Sequence, residues 1–318
     1  RLRSPSRGLG DVYKRQRYIF KSGDIRDGSR ITALIEMFSP TAVIHLAAES
    51  HVDRSIDDSS EFISTNVVGT QVLLDCVLGY WKNLGSEEQK AFRFLHVSTD
   101  EVFGSLGEEG KFREDTPYKP NSPYAASKAA SNHLVRAWHQ TYGLPVLITN
   151  CSNNFGPYQF PEKLIPLIVG NALEGRSLPV YGSGQNIRDW LYVEDHARAL
   201  WMVIQKGRTG ESYNIGGGSE RKNLDLVKEI CNILDRLCPT SDVQSYSELI
   251  SFVEDRPGHD FRYSVDDSKI RKELGWKPRW DFETGLEKTV LWYLDNRSWM
   301  EKVKAKSYSH ARRGLASS

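Results

Sequence analysis

The sequence predicts an α/β fold in which a doubly wound parallel sheet carries a smaller C-terminal lobe. Three short apolar runs indicate strands, at Ala42–Ala47, Phe94–Ser98 and Leu144–Thr149. Helical patterns separate these runs, around Ser29–Phe38, Ser60–Tyr80 and Pro123–Tyr142. Near-continuous apolar strands that alternate with helices are typical of a parallel sheet covered on both faces. We therefore expect each of these strands to be buried.

Composition excludes several classes of protein. The 318 residues are 39% hydrophobic and 26% charged, which is an ordinary globular balance. A formal net charge of +1 predicts neither nucleic acid nor a membrane surface as a partner. The four cysteines form no Cys-x-x-Cys pair, so we expect reduced thiols in a cytoplasmic protein. No apolar run approaches the ~20 residues that span a bilayer, and no signal peptide is recognisable.

The first residues do not fit a dinucleotide-binding sheet. Such a fold opens with a strand, a glycine-rich turn and a helix whose N-terminus holds a pyrophosphate. Residues 1–16 are basic, and Gly8 and Gly10 have no apolar strand before them and no helical pattern after them. We therefore expect a Rossmann-like domain that lacks its first strand, turn and helix. Residues 1–16 are interpreted as a disordered or artefactual segment.

The rest of the chain divides by composition and pattern. Residues 17–155 are predicted to form the dinucleotide-binding domain, and residues 187–215 to return to it. Residues 156–300, which begin rich in proline, glycine and aromatic side chains, are predicted to form the smaller lobe. Residues 301–318 are polar and basic, and this composition predicts a frayed tail.

Tyr124 and Lys128 form the first candidate catalytic pair. They are four residues apart on a helix whose start is marked by Ser122 and Pro123, so both side chains point to one face. A nearby ammonium lowers the pKa of a phenol towards that of a useful base. The spacing alone is common by chance. Its position after a strand of a parallel sheet, where ligands bind in such folds, favours an active site.

The second predicted strand ends in Ser98-Thr99-Asp100-Glu101, which supplies two hydroxyls and two adjacent carboxylates. By itself this pattern is also typical of a solvated turn. Adjacent carboxylates in different environments can, however, divide acid and base roles between them. Elimination of water across a carbon–carbon bond needs that division, because a base removes the carbon-bound proton while an acid protonates the departing hydroxyl.

Together these segments resemble the extended short-chain dehydrogenase/reductase family, from about Arg17 to Tyr293. Within it they are most similar to the dTDP-glucose 4,6-dehydratase branch. The segments that carry the resemblance are His45–Ser50, Ser98–Gly104, Tyr124–Lys128, Asn150–Pro157, Phe160–Pro166, Arg188–His196 and Asp255–Asp260. No single segment is specific, but the combination is.

The resemblance implies a lyase that uses NAD and dTDP-glucose. NAD would oxidise C4 of the sugar, water would leave across C5 and C6, and hydride would return to C6 to give the 4-keto-6-deoxy sugar. Tyr124 would accept the proton of the 4-hydroxyl, Lys128 would hold the nicotinamide ribose, and Thr99 would lie near the 4-oxygen. Glu101 would remove the C5 proton, and Asp100 would protonate the 6-hydroxyl.

The resemblance also implies two sets of binding residues. The cofactor contacts would be Asp24, Ile25, Leu46, Ala47, Ala48, Thr65, Tyr124, Lys128 and Asn154. The substrate contacts would be Ser50, Thr99, Asn153, Lys163, Pro179, Tyr181, Arg188, Asn223, Arg256 and His259. Arg188 and Arg256 suit a pyrophosphate, because the guanidinium fork matches its oxygens. No metal is predicted, since the spacing of His45 and His51 fits no shared ligand set.

Several alternatives stay open. A 4-epimerase or a decarboxylase of the same family shares Tyr-x-x-x-Lys but needs no acid pair, and a C5-inverting dehydratase is expected to carry lysine at position 101. A catalytically dead homologue is favoured by the missing phosphate turn, which predicts weak NAD retention and weak or no activity. The full set of proton-transfer residues argues against it. A homodimer through the helices at Ser60–Tyr80 and Pro123–Tyr142 is a family expectation, and the residues fix neither the nucleobase nor the pathway.

Overall fold

A four-stranded parallel sheet forms the centre of the N-terminal part of the protein. The computed structural model describes residues 18–307. Parallel pairing in register, with Phe94 beside Val146 and Ile148 beside Ser212, keeps all carboxyl ends at one edge. The predicted parallel α/β sheet is thus confirmed. Its strands, in spatial order, are β1 (Ala42–His45), β2 (Arg93–Thr99), β3 (Val146–Cys151) and β7 (Ser212–Ile215).

Successive residues of β2 explain why the sheet is covered on both faces. Side chains alternate along a strand, so Phe94 and Leu95 point in opposite directions. Phe94 packs in one buried cluster with Val77 and Val135, and Leu95 packs in another with Val203. Helix α1 (Gly28–Phe38) precedes β1. The other helices of this part of the protein are α2 (Val52–Asp57), α3 (Ser60–Phe62), the π-helical turn Ile63–Gly69, α4 (Thr70–Lys82), α5 (Ser86–Ala91), α6 (Pro123–Tyr142) and α8 (Val193–Lys206).

Helix α6 begins and ends where the sequence predicts. The Ser122 hydroxyl accepts a hydrogen bond from the backbone amide of Ala125 at 3.1 Å, and Pro123 occupies the first turn. Gly143 adopts the left-handed conformation that ends the helix. The phenol and the ammonium of the candidate pair are therefore held on a rigid element.

The prediction that Ala42–Ala47 is a buried strand is wrong. The structure forms β1 from Ala42–His45 at the edge of the sheet, and within residues 18–307 it pairs only with β2. Ile44 is 39% exposed and Leu46 58% exposed. The apolar run does form a strand, but whether a strand is buried depends on its neighbouring strands and on the helices that cover it, which the run itself does not specify.

The C-terminal lobe has its own core and two small sheets. One sheet joins β4 (Asn153–Phe155), β6 (Ile187–Tyr192) and β8 (Glu220–Lys222), and the other pairs β5 (Leu178–Tyr181) with β9 (Ile250–Val253). The core packs apolar side chains such as Ile165, Trp190, Val227 and Leu286 together. The remaining elements are α7 (Leu164–Leu173), α9 (Asn223–Leu237), the 3₁₀ turn Tyr246–Leu249, α10 (Ser268–Leu274), α11 (Phe282–Asp295) and α12 (Arg297–Ser307).

The prediction of a frayed tail from residue 301 is wrong for its first part. Helix α12 runs from Arg297 to Ser307, and Met300 is buried in the core of the lobe. The Lys304 ammonium donates to the Glu174 carboxylate at 2.6 Å. These contacts with distant residues stabilise a helix whose composition alone is polar. Residues 308–318, like residues 1–16, lie outside the described part of the chain.

The expectation that no apolar stretch approaches the length of a membrane span is wrong for Ser60–Lys82, which is long and apolar enough by composition to cross a membrane. Its side chains Leu73, Leu74 and Val77 are buried in the cluster that covers the sheet. This packing is that of a core helix.

Replacing Gly104 by alanine is expected to destabilise the protein by at least about 2 kcal/mol. Gly104 ends the turn that carries the acid pair, at φ +88°, and a Cβ there would lie 2.3 Å from the carbonyl oxygen of Lys119. Gly110→Ala is a matched control, because Gly110 has φ +89° but open space around its Cα. It should show only the backbone cost, about 1 kcal/mol. Urea unfolding measures both, and equal losses would mean that the Lys119 contact is irrelevant.

Candidate active site

The end of β2 and the start of α6 bring the proton-transfer residues together. Thr99 is the last residue of β2, and Asp100 and Glu101 begin the 3₁₀ turn Asp100–Phe103. Tyr124 and Lys128 lie in the first turns of α6 and are buried. The Thr99 hydroxyl donates to Asp100 Oδ1 at 3.3 Å and also hydrogen-bonds with the Tyr124 phenol. The structure therefore brings these residues to one end of the sheet, where Glu101 lines the cavity described below and Thr99, Asp100, Tyr124 and Lys128 do not. That the five act together in catalysis stays a prediction.

The two adjacent carboxyl groups have different surroundings. Burial, and then the negative charges of Glu101 and Asp189, raise the pKa of Asp100 well above its ordinary range. Asp100 Oδ2 is buried and has no hydrogen-bond partner in the described structure. Burial also raises the pKa of Glu101, but the cations Arg188, Lys163 and Arg256 oppose that rise. The arrangement thus favours a protonated Asp100 next to an ionised Glu101, which is the division that an elimination needs.

Asp100→Asn is expected to stabilise the protein at neutral pH. A carboxyl whose pKa is raised by folding contributes most stability below its unfolded pKa, near 3.8. That contribution is lost as the pH rises towards the folded pKa, because only the unfolded chain ionises. Asparagine does not titrate, so the melting temperature of the variant should exceed that of the parent increasingly from pH 4 to pH 8. A difference that stays constant over this range would contradict the protonated state of Asp100.

The expected low pKa of Tyr124 is not found. Burial, followed by the negative charge of Glu101, raises the pKa of the Tyr124 phenol well above its usual value. Lys128 Nζ instead donates to the carbonyl oxygen of Val97 at 2.9 Å, and burial lowers the pKa of Lys128 to about 8. The prediction considered only the spacing of the two residues on the helix. In the folded protein, burial and the Glu101 carboxylate raise the pKa of Tyr124, and this outweighs any lowering by the nearby Lys128.

A cavity of about 640 Å³ opens beside Glu101, between the carboxyl edge of the sheet and the C-terminal lobe. Its size is that of a site for a small-molecule ligand. Of the predicted site residues, it is lined by Glu101, Asn153, Asn154, Lys163, Pro179, Tyr181, Arg188, Asn223, Arg256 and His259. Ser50 is not among the lining residues, but its carbonyl oxygen accepts a hydrogen bond from Lys163 Nζ at 2.6 Å.

The two predicted pyrophosphate arginines have different roles in the structure. Arg188 is buried and donates to the carbonyl oxygens of Ile187, Phe261 and Asp260. Its guanidinium also stacks on the Tyr263 ring at 4.2 Å. Arg256 lies on the loop after β9, where its side chain is 22% exposed and reaches into the cavity. Arg256 is therefore the more available of the two for an anionic group.

The predicted cofactor residues fall into two groups. At the end next to Glu101, Asn154 has a buried Oδ1 without a hydrogen-bond partner in the described chain, and Lys128 has donors beyond the one bound to Val97. These free polar groups fit the nicotinamide end of NAD. Further out, Leu46 and Ala47 are exposed at the carboxyl end of β1, Thr65 lies on the π-helical turn, Ile25 packs near Gly69, and Asp24 forms an ion pair with Arg26 at 2.7 Å. A glycine-rich phosphate turn is not present within residues 18–307.

Sequence reasoning missed several residues of the cavity. Asp53 and Tyr263 are the most informative of these, because each is buried and contacts a predicted site residue. The Asp53 carboxylate accepts from the Tyr181 hydroxyl, and the Tyr263 ring lies against the Arg188 guanidinium. The segment Asp255–Asp260 was recognised, but Asp53, more than 200 positions away, carries no local pattern that would link the two. No cluster of three metal-ligating side chains occurs in the described part of the chain. The other lining residues that were missed are His51, Val52, Ser122, Gln159, Glu162, Leu164, Leu167, Asn171, Arg176, Ser177, Trp190, Val253, Gly258 and Asp260.

A protein-family model described as GDP-mannose 4,6 dehydratase matches residues 7–289. The match begins inside the segment 1–16 that the sequence analysis set apart. Two curated proteins, both dTDP-glucose 4,6-dehydratases, show high identity. The protein from Xanthomonas campestris pv. campestris is 58% identical over 297 residues, covering 93% of this chain and 85% of that protein. The one from Escherichia coli K12 is 54% identical over 309 residues, covering 94% and 85%.

Solved structures show the same likeness. DesIV, a dTDP-glucose 4,6-dehydratase from Streptomyces venezuelae solved with NAD bound, is 47% identical with a TM-score of 0.83, covering 94% of this chain and 87% of that one. A UDP-glucose 4-epimerase from Thermotoga maritima, at 24% identity and a TM-score of 0.77, shares the fold.

Proposed function

Because this chain belongs to the dTDP-glucose 4,6-dehydratase family, we propose that it is an NAD-dependent lyase that converts dTDP-glucose into the 4-keto-6-deoxy sugar. The relatives and solved structures named above support this reaction. The observation that carries the proposal is the unequal carboxyl pair. Asp100 is buried next to a second carboxylate, whereas Glu101 faces the cavity and three cations.

The residues of this chain would divide the proton transfers of the reaction. Tyr124 would accept the 4-hydroxyl proton as C4 is oxidised, and it would have to do so as a phenolate. Burial and Glu101 disfavour the phenolate, and the positive charge of the oxidised nicotinamide, when bound nearby, would favour it. Glu101, as a carboxylate, would remove the C5 proton, which the neighbouring 4-ketone makes acidic. Asp100, as a carboxylic acid, would protonate the 6-hydroxyl so that it leaves as water. Glu101 would then return its proton to C5 as the C6 position is reduced, so that the sugar loses one water in total.

NAD, when bound, supplies the hydride acceptor and donor for this chemistry. Lys128 and Asn154 would hold its nicotinamide end, because they carry the unused polar groups on that side of Glu101. Burial of Tyr124, Asp100 and Lys128 excludes water from the proton-transfer residues, which strengthens their mutual electrostatic interactions.

Incubation with dTDP-glucose and added NAD tests the proposal. The 4-keto product absorbs in alkali, and its appearance with time is the expected result. A Glu101→Gln sample processed in parallel is the control for non-enzymatic product. A protein that binds dTDP but forms no product with excess NAD would instead be a binding homologue. Conversion to a C4 epimer without loss of water would indicate an epimerase, which the Asp100–Glu101 pair argues against.

We further propose a cytoplasmic homodimer. The stretch Ser60–Lys82 and helix α6 lie side by side on one face of the sheet, and each leaves apolar side chains such as Val68 and Tyr142 partly exposed. A second copy that packs on this face would cover them. Light scattering after gel filtration measures the mass that decides between monomer and dimer.

A further inference from the structure

A buried carboxylate on the nucleotide-binding side of the cavity contacts two predicted substrate residues on the other side. Asp53 lies in α2, which follows β1, and is 4% exposed. Its Oδ2 accepts a hydrogen bond from the Tyr181 hydroxyl at 2.8 Å, and its Oδ1 lies 3.2 Å from Arg256 Nε. Tyr181 ends β5, and Arg256 follows β9, which is the partner strand of β5. Asp53 therefore links the sheet domain to the C-terminal lobe.

The three side chains form one closed unit. The Arg256 guanidinium also lies over the Tyr181 ring, with Cζ 4.8 Å from the ring centroid. Arg256 is thus held by a charge on one side and an aromatic face on the other. Both Arg256 and Tyr181 line the cavity, as does Asp53 itself.

Neighbouring contacts join the same two parts of the molecule. Arg54, the residue after Asp53, donates to Glu162 at 2.8 Å, and Lys163 Nζ donates to the carbonyl oxygen of Ser50 at 2.6 Å. These contacts lie between the same two parts of the protein, the sheet domain and the C-terminal lobe. Asp53 differs from them because its partner is Arg256, the more available of the two predicted pyrophosphate arginines.

We infer that Asp53 is a positioning residue, which holds Arg256 in place to receive the diphosphate of a nucleotide-sugar. An arginine on a loop loses much side-chain rotamer entropy when it binds an anion. If Asp53 already fixes the guanidinium in the folded protein, this rotamer entropy is lost when the protein folds and no longer weakens ligand binding. The inference rests on the proposed function, because the diphosphate belongs to the substrate of that function.

The negative charge of Asp53 has a second effect with the opposite sign. It repels an anionic ligand, so its removal could in principle strengthen binding. We expect the ordering of Arg256 to outweigh the repulsion between Asp53 and the anion. Asp53 contacts Arg256 directly, and Arg256 supplies the hydrogen-bond donors that contact the phosphate. The sign of the change in affinity therefore decides between the two effects.

Binding of dTDP, measured by calorimetry, tests the inference without any need for turnover. Asp53→Asn is expected to raise the dissociation constant about tenfold. Arg256→Gln should raise it at least as much. Asp53→Asn added to Arg256→Gln should change it less than twofold further, because Asp53 acts through Arg256. Asp57→Asn, at an exposed position of the same helix, removes the same charge and should leave dTDP affinity unchanged.

The outcomes separate the inference from the proposed function. If the parent protein does not bind dTDP, the proposed function is wrong. If it binds dTDP and Asp53→Asn binds as tightly or more tightly, or if the two losses simply multiply, the inference is wrong. Circular dichroism checks that each variant is folded. Should Asp53→Asn not fold, Tyr181→Phe, which keeps the ring and both charges but removes the 2.8 Å bond, is expected to weaken dTDP binding about threefold, and parental affinity would overturn the inference.

Discussion

Tyr124→Phe is expected to lower kcat for conversion of dTDP-glucose by a factor of about 10² to 10⁴, which is the usual contribution of a positioned general base. Phenylalanine keeps the ring and its edge contact with Phe62, at 6.3 Å between centroids, so the fold should be retained. Only the hydroxyl that bonds with Thr99 is lost. Steady-state product formation with excess NAD measures the effect.

Tyr118→Phe is the matched control for this substitution. Whereas the Tyr124 hydroxyl bonds with Thr99, the Tyr118 hydroxyl, which also lies in the interior, accepts a hydrogen bond from Asn132 Nδ2 at 3.0 Å. Its loss should lower stability by about 1 kcal/mol and change kcat less than threefold. A Tyr124→Phe protein with more than a tenth of the parental kcat would show that another group accepts the 4-hydroxyl proton.

Glu101→Gln is expected to abolish exchange of the C5 proton with solvent deuterium and to lower product formation by about 10³-fold. Glutamine keeps the size of the side chain in the cavity but cannot accept the proton. Asp100→Asn should also lower product formation, by about 10²-fold or more, because no acid then protonates the 6-hydroxyl. It should nevertheless retain C5 exchange, since Glu101 remains a carboxylate. Nuclear magnetic resonance of the sugar in deuterated buffer measures exchange and product together.

The comparison of the two variants is more informative than either alone. If Asp100→Asn loses C5 exchange while Glu101→Gln keeps it, the acid and base assignments are reversed. Glu114→Gln controls for the loss of a half-buried carboxylate, because burial raises the pKa of Glu114 as well. Its Oε1 accepts from the backbone amide of Asn214 at 2.9 Å, and it does not line the cavity. Its exchange and turnover should match those of the parent.

Local patterns in the sequence determined the elements that carry the chemistry. Helix α6 begins at Pro123 and ends at Tyr142, as predicted, because the cap at Ser122 and the glycine after the last turn act over a few residues. The observed strand Arg93–Thr99 contains the predicted run Phe94–Ser98 and extends it by one residue at each end. The short segments that carry the resemblance also identified ten residues that line one cavity in the structure.

Properties that depend on distant neighbours were decided only by the tertiary structure. Within residues 18–307, Ala42–His45 is an edge strand, and Arg297–Ser307 is a helix that contacts Glu174 through Lys304. Contacts far away in sequence set burial and stability at both places. The pKa of Tyr124 is raised and not lowered for the same reason, since burial and Glu101 outweigh the lysine one turn away. The role of Asp53 could not be predicted from the sequence, because it depends on contacts with Tyr181 and Arg256, which are distant in the chain. Periodicity and capping are local and can be read along the chain, whereas burial, ion pairs and proton affinity depend on which side chains the fold brings together.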